Sequence, residues 1–245
     1  MQSDLPQVAL IAALGLERKA MRAALTAHGG VLPIRPVVLP VPVGADCTTA
    51  LERNLDELGN LAMGICFGLA GAILPHVRLN DVIIPERMHS ITDGQSIAAS
   101  PNLLAASRRW ASAATTRVVH VAAAVQVDRL YIETDKRRLS IRFPEAGFVD
   151  MESASVAELL SSLGIPHLIM RVISDELTTI FPEALQDNRT PGVLPERLRR
   201  ALSLLDPRQY LAFRRLHGIC TQAAATNAAA VVDFLTSLEF GERSI

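Results

Sequence analysis

Aromatic side chains are scarce in this sequence of 245 residues and make up only 4% of it. Because proteins bind single-stranded nucleic acids largely by stacking bases on aromatic rings, this scarcity argues against a nucleic-acid-binding surface. The formal net charge is −1 at pH 7. A nearly neutral chain has no electrostatic attraction for DNA, RNA or an anionic membrane, so these partners are not expected.

Cysteine is also rare, with three residues that are odd in number and widely spaced: Cys47, Cys66 and Cys220. This pattern indicates reduced thiols rather than a disulfide framework or a zinc site. No ligand spacing appears among the histidines His76, His89, His120 and His167. We therefore predict neither a metal nor another cofactor.

Long apolar runs are absent as well. No run reaches the length of a membrane-spanning helix without charges, and residues 1–6 are polar rather than typical of a secretory leader. We expect a protein of the cytoplasm that has no membrane span.

Apolar residues nevertheless make up 49% of the chain, enough for a large core, and the length suits one domain. Short apolar runs predict strands at Val8–Leu14, Pro36–Val43, Leu61–Phe67, Asp81–Pro85, Arg117–Val125, before Asp150 and at His167–Asp175. Helical patterns lie at Glu17–His28, Thr48–Leu58, Leu103–Ala113, Glu133–Arg142, Glu152 to Gly164, Leu194–Leu205 and Tyr210–Leu238. This alternation predicts an α/β sheet that is covered on both faces.

Two acidic residues follow neighbouring elements of this pattern. The segment Val149-Asp-Met-Glu-Ser153 opens a helix, and Arg171-Val-Ile-Ser-Asp175 ends a strand. Ligands of open α/β sheets bind outside the carboxyl ends of strands, where both acids are expected. On spacing alone, a simpler interpretation also holds: Glu152 is an acid favoured by a helix dipole, and Asp175 is a loop residue.

Together the two motifs resemble the nucleoside phosphorylase and nucleosidase superfamily, of the purine nucleoside phosphorylase and methylthioadenosine/S-adenosylhomocysteine nucleosidase type. The small-residue turn predicted at Gly68–Ala72, followed by Asp81–Ile84, resembles a second signature of this family, although Asn80 stands where the family often has glycine. The resemblance covers Val8 to Asp175. It implies a three-layer α/β/α fold with a central twisted mixed sheet, as one domain over residues 1–245 with a helical segment at 193–240.

The resemblance also assigns roles to particular residues. It implies an enzyme that cleaves the N-ribosidic bond of a purine nucleoside, with Asp175 as the acid that protonates the departing base and Glu17 as the group that activates water. Glu152 would accept hydrogen bonds from the ribose hydroxyls, and Met151 would pack beneath the ribose. Each acid at a helix start, including Glu17, is also explained by the helix dipole.

Further residues are expected at the same site. Arg171 either orients the site or pairs with Asp150 or Glu152 for structural reasons. The base would stack on Leu130 or Tyr131, and the choice between them stays open. The remaining candidates for contact with substrate are the small or hydroxylated residues Gly68, Ala70 and Ser174.

Whether water or phosphate attacks the sugar is the main open alternative. Cys66 and Leu69 stand where some phosphorylases of the family carry arginine and serine, and neither can hold a phosphate dianion. This departure favours water, with phosphate as the alternative co-substrate that only Arg18, Arg87 or Arg129 would be left to bind. A noncatalytic nucleoside-binding protein of the same fold is a further alternative.

The segment after Asp175 resembles the hopanoid-biosynthesis-associated phosphorylases, a subgroup of the superfamily that would act on an adenosyl lipid. The superfamily resemblance further implies a homo-oligomer, such as a homodimer. The substituent at the 5′ position of the nucleoside is not indicated by any residue pattern.

Overall fold

A computed structural model describes residues 5–29, 32–44, 46–114, 116–182, 185 and 206–238. Within these residues the chain forms eight strands and six helices. In chain order they are β1 (Gln7–Ala12), α1 (Gly15–His28), β2 (Arg35–Pro40), α2 (Cys47–Asp56), β3 (Met63–Ala72), β4 (Val82–Ser90), β5 (Ser96–Ala98), α3 (Pro101–Ala113), β6 (Val119–Gln126), α4 (Glu133–Arg142), β7 (Ala146–Asp150), α5 (Ser153–Ser162), β8 (His167–Asp175) and α6 (Pro207–Ser237).

The predicted elements that fall within the described residues are all present, with small shifts at their ends. The predicted turn at Gly68–Ala72 is wrong, because these residues continue β3, which pairs along this stretch with both β8 and β7. The short strand β5 was not predicted; it exists through antiparallel pairing with β4. The helix predicted at Leu194–Leu205 lies outside the described residues.

The sheet is mixed and partly closed on itself. Strands β3, β8, β4, β6 and β7 form a ring, in which β3–β8, β4–β6 and β6–β7 are parallel and β4–β8 and β3–β7 are antiparallel. Strands β1 and β2 extend the sheet from β3, and β5 extends it from β4. The ring closes at Gly71, which pairs with Asp175 of β8 and with Val149 of β7. Closure therefore brings the carboxyl ends of β7 and β8 together.

Helices cover both faces of this sheet, because successive residues of its buried strands point to opposite sides. On one face Val8 and Leu10 join a core with α1, α3 and α6, which contributes residues such as Val231 and Phe234. On the other face Ala9 and Ile11 pack with α2 and α5. The predicted single-domain α/β/α fold with a central mixed sheet is thus confirmed. In the part of the chain that the structure describes, no helix combines the length and apolar character needed to cross a membrane.

Candidate active site

A cavity of about 280 Å³ opens where β1, β7 and β8 end. The acids Glu17, Glu152 and Asp175 all line it, although they are far apart in the sequence. The other described residues of its wall are Ala13, Leu14, Val43, Leu69, Ala70, Gly71, Val127, Arg129, Leu130, Tyr131, Lys136, Val149, Asp150, Met151, Ser174, Phe181, Leu185, Leu216 and Cys220. Most of these are apolar, so the acids face a cavity with few competing polar groups.

Glu17 lies in the first turn of α1 and is held by two backbone amides. Its Oε2 accepts a hydrogen bond from the Leu14 N–H at 2.8 Å, and its Oε1 accepts one from the Leu69 N–H at 2.8 Å. Burial raises the pKa of this carboxyl, while Arg171 and the two amides oppose the rise. Glu17 therefore both caps α1 and joins α1 to β3, and it keeps an elevated affinity for a proton.

Arg171 lies at the middle of β8 and is 1% exposed. Its Nη2 lies 2.6 Å from Asp150 Oδ2 and 3.7 Å from Glu152 Oε2. The same guanidinium donates to the Phe67 carbonyl at 3.2 Å and to Ser153 Oγ. The alternative that Arg171 pairs with these two acids is therefore confirmed, and Arg171 connects β8 to the start of α5.

Gly68 explains how this arginine comes so close to Glu17. Its φ is +148°, and a Cβ atom there would lie 2.5 Å from Glu17 Oε1 and 2.6 Å from Arg171 Nη1. No side chain fits at such distances. Gly68 is therefore needed for packing behind the cavity wall, and neither Gly68 nor Arg171 is among the described residues that line the cavity.

Glu152 directly precedes α5 but does not cap it through its side chain. Asp150 does that instead, since its carboxylate accepts hydrogen bonds from the N–H and the hydroxyl of Ser153. Glu152 Oε1 accepts a hydrogen bond from the Gly44 N–H at 3.2 Å. Burial raises the pKa of Glu152 from 4.5 to about 7; Arg171 opposes this rise and Asp150 adds to it. The side chain of Glu152 is thus held by the Gly44 amide and lies near the Arg171 guanidinium, although the residue stands at the start of α5.

Asp175 ends β8 and is buried. The Ser174 hydroxyl donates to its Oδ1 at 3.0 Å, and the Lys136 ammonium group donates to its Oδ2. Burial raises the pKa of the Asp175 carboxyl, and the cation of Lys136 opposes the rise. Asp175 is thus a buried acid with one hydroxyl and one ammonium partner.

Of the predicted site residues, eight line the cavity: Glu17, Ala70, Leu130, Tyr131, Met151, Glu152, Ser174 and Asp175. Both candidates for stacking on a base, Leu130 and Tyr131, are present in the wall, and the Arg129 guanidinium lies 5.1 Å from the centre of the Tyr131 ring. Since the two neighbours share the wall, the choice between them stays open.

Several residues of the wall were not predicted from the sequence, chiefly Lys136 of α4 and Leu216 and Cys220 of α6. Lys136 had a detectable signal, because it lies four residues after Ile132 and three before Leu139, at the spacing of a buried helix face. Leu216 and Cys220 had none, since nothing in a terminal helix indicates which strand end it contacts. Burial raises the pKa of the Cys220 thiol to about 11.

The three arginines considered as phosphate ligands, Arg18, Arg87 and Arg129, lie at different places in the structure. Arg18 donates to the carbonyls of Ala12 and Ala13 at the end of β1, and Arg87 donates to the exposed Ser96 hydroxyl. Of these candidates only Arg129 lines the cavity, and it pairs with Asp128. Cys66 is buried against Arg171, with 3.5 Å between Nη2 and Sγ.

Comparison with known proteins gives a family for the chain. The model of the phosphorylase superfamily matches residues 22–206 of the chain. None of the curated proteins compared with the chain matches it in sequence.

Solved structures with the same fold cover nearly the whole chain. One is a 5′-methylthioadenosine/S-adenosylhomocysteine nucleosidase from Neisseria meningitidis in complex with methylthio-immucillin-A, at 21% identity and a TM-score of 0.72, covering 96% of this chain and 100% of that one. The futalosine hydrolase of Helicobacter pylori has 15% identity and a TM-score of 0.71, with 96% and 99% covered. A nucleosidase of Streptococcus pneumoniae in complex with 8-aminoadenine has 17% identity and a TM-score of 0.69, with 95% and 100% covered.

The raised pKa of Glu152 predicts a pH-dependent cost to folding. Between pH 4.5 and about 7 the folded state keeps a proton on Glu152 that the unfolded chain has released. The stability from this group is therefore fully present below pH 4.5 and is lost as the pH rises through 7. Glu152→Gln has no such titration, so melting temperatures measured from pH 5 to 8 should shift in favour of the variant as the pH rises.

Glu52→Gln is the matched control, because Glu52 is an exposed acid on α2. It should change the melting temperature by a small and nearly constant amount across this range. A difference between Glu152→Gln and wild type that does not vary with pH would contradict the raised pKa.

Proposed function

The chain belongs to the phosphorylase superfamily, and on that premise we propose that it hydrolyses the N-ribosidic bond of an adenine-type purine nucleoside. Membership confirms the prediction of an enzyme at the level of the family. The observation that carries the proposal is the convergence of Glu17, Glu152 and Asp175 on one largely apolar cavity. The nucleosidases and the hydrolase of the same fold support it.

The chemistry needs a base for water and an acid for the leaving group. When the bond from the sugar to the base breaks, its electron pair leaves with the purine and the sugar becomes oxocarbenium-like. Asp175 gives a proton to the purine at N7, and burial favours the protonated form that this requires. Glu17 takes a proton from the attacking water, and its raised pKa makes it a stronger base. One proton enters the enzyme at Glu17 and one leaves at Asp175, so the charges balance.

Water fits the cavity better than phosphate does. The amides of Leu14 and Leu69, which would suit an anion, already donate to Glu17, whose negative charge would repel a dianion. Among the described residues of the wall, the cations are Arg129, at an exposed position, and Lys136, which pairs with Asp175. Arg171 is committed to Asp150 and Glu152. Phosphorolysis, including the action of a hopanoid-associated phosphorylase, remains the alternative.

The ribose would lie between Met151 and Glu152. The Glu152 carboxylate offers two acceptor oxygens to a vicinal diol, and Met151 gives an adaptable apolar surface. The purine would then extend between Asp175 and the pair Leu130 and Tyr131. The 193–240 helical segment, the cytoplasmic location, the hopanoid subgroup and the homo-oligomer stay predictions.

Hydrolysis predicts base release without phosphate. In phosphate-free buffer, adenosine, 5′-methylthioadenosine and an adenosyl-linked lipid are incubated with the protein, and adenine and sugar products are separated chromatographically. For at least one substrate, adenine and a free sugar should appear, and added phosphate should leave the rate unchanged. A sugar 1-phosphate that forms only with phosphate would establish the phosphorylase instead. Binding of these nucleosides without any release would favour the noncatalytic alternative.

Loss of the acid should slow turnover strongly. Asp175→Asn keeps the size of the side chain but has no carboxyl proton to give, so kcat on the preferred substrate should fall by about 10²- to 10⁴-fold. The melting temperature checks that the variant is folded, and the exposed Asp56→Asn serves as the control. Turnover of Asp175→Asn close to that of wild type would remove Asp175 from the mechanism.

The ribose contact predicts a change in sugar preference. Above the raised pKa of about 7, where Glu152 is ionised, Glu152→Gln replaces a charged acceptor with a neutral amide. Hydrogen bonds to charged groups contribute about 1.5 to 3 kcal/mol, so the assay is run at pH 8. We expect the ratio of kcat/KM for ribosyl over 2′-deoxyribosyl substrate to fall by about 10- to 100-fold. An unchanged ratio together with a lowered melting temperature would assign Glu152 to structure alone.

A further inference from the structure

The chain makes almost exclusive use of arginine for its cations: of 24 lysines and arginines, only two are lysines. Lys19 is exposed on α1. Lys136 is 1% exposed, lies on the inner face of α4 and lines the cavity. Within the described residues, the cation of the cavity wall that contacts Asp175 is therefore a lysine.

The ammonium group of Lys136 is committed to the end of β8. It donates to Asp175 Oδ2, to the Glu176 carbonyl at 3.0 Å and to the Asp175 carbonyl at 3.4 Å. These three acceptors match the three N–H groups of an ammonium ion. Nζ also lies 5.8 Å from the centre of the Phe181 ring.

Gly71 leaves the room for this contact. A Cβ atom at Gly71 would lie 2.6 Å from Asp175 Oδ2 and 3.0 Å from both Cε and Nζ of Lys136. The closure of the sheet at Gly71 thus also creates the space in which α4 reaches the acid.

We propose that Lys136 is a positioning residue that acts through Asp175: it fixes the carboxyl group and replaces, from its ammonium group, the proton that Asp175 gives to the departing base. The inference rests on the proposed function and adds to it the source of that proton. Asp175 alone holds one proton to give, whereas the pair holds a further proton on the ammonium group that donates to Asp175 Oδ2.

The identity of the cation supports this role. Arginine stays protonated at any pH that a protein experiences, so it can neutralise Asp175 but cannot release a proton. An ammonium ion does both. Among the described residues, the Cys220 thiol of α6 lies in the same cavity wall. Burial raises its pKa most, and the charges of Asp175 and Glu17 raise it further. Glu17 of α1 lines the same cavity.

The proton balance is simple. The electron pair of the bond between C1′ and the base leaves with the purine, whose N7 takes a proton from Asp175. Asp175 regains a proton from Lys136 Nζ, which becomes a neutral amine. The proton that Glu17 removes from water returns through solvent to the amine, so the enzyme ends in its starting state.

The test compares pH profiles of kcat/KM for adenine release from pH 5 to 10. Lys136→Met removes the ammonium proton, and it also removes the cation that opposes the raised pKa of Asp175. The second effect alone would keep Asp175 protonated to higher pH, so a decline in rate that moves to lower pH reports the lost proton supply. At pH 8 the rate of Lys136→Met should be lower than that of wild type by about 10²-fold or more. Lys136→Arg keeps the positive charge without a proton to release and should also lose the alkaline part of the profile. Lys19→Met, which removes the only other lysine, should retain the wild-type profile.

Rescue by an added amine separates proton supply from structure. In Lys136→Ala, methylamine or ethylamine can enter through the cavity, and it should restore part of the alkaline rate in proportion to its concentration. Circular dichroism and melting temperatures check folding. If Lys136→Met does not fold, Lys136→Arg and the rescue of Lys136→Ala decide the matter.

The outcomes are distinguishable. Wild-type protein that releases no base contradicts the proposed function, and the inference falls with it. Active wild type with an unchanged alkaline decline in Lys136→Met, full activity of Lys136→Arg across the range, or no rescue by amines would overturn the role of Lys136 alone. A shifted decline, together with rescue, supports it.

Discussion

The buried guanidinium of Arg171 is the interaction on which the rest of the site depends. It contacts the Asp150 carboxylate, the Ser153 hydroxyl and the Phe67 carbonyl, and it lies near Glu152 and Glu17. Removing a charge from water costs several kcal/mol, which only a full set of partners offsets. Because those partners come from β3, β7 and α5, the need to satisfy one cation fixes the relative positions of three elements.

The three acids that line the cavity, Glu17, Glu152 and Asp175, each have a different kind of partner. Glu17 is held by backbone amides, Glu152 lies beside the guanidinium, and Asp175 contacts an ammonium ion. Burial raises the pKa of each. Different partners allow carboxyl groups with the same chemistry to act as base, sugar ligand and acid. The shared burial opposes folding as the groups ionise, which is a common cost of an active site.

Closure of the sheet brings the carboxyl ends of β7 and β8 to the wall of one cavity. Here both pair with β3, and two glycines leave room for the groups behind and beside the acids. Gly68 admits Arg171 and Glu17, and Gly71 admits Lys136 and Asp175. These two glycines of β3 therefore leave room for buried charged side chains as well as pairing with the neighbouring strands.

The sequence by itself determined the elements and most of the acids. The buried strands can be recognised as continuous apolar runs. The motifs at Val149–Ser153 and Arg171–Asp175 indicated the family and identified Glu152 and Asp175 as site residues. Short-range patterns of this kind are local, so they can be recognised in one chain. The local sequence does not show whether Gly68–Ala72 forms a strand or a turn, since its small residues suit both. Pairing with β7 and β8 makes this segment a strand.

Only the tertiary structure determines which residues that are distant in the sequence contact each other. It closed the sheet, separated Arg171 from the cavity, brought Leu216 and Cys220 from the terminal helix into the wall and placed Lys136 on Asp175. Lys136 and Asp175 are 39 residues apart. Their contact arises because the Lys136 side chain of α4 reaches the end of β8. The burial that raises the pKa of Asp175 exists only in the folded chain.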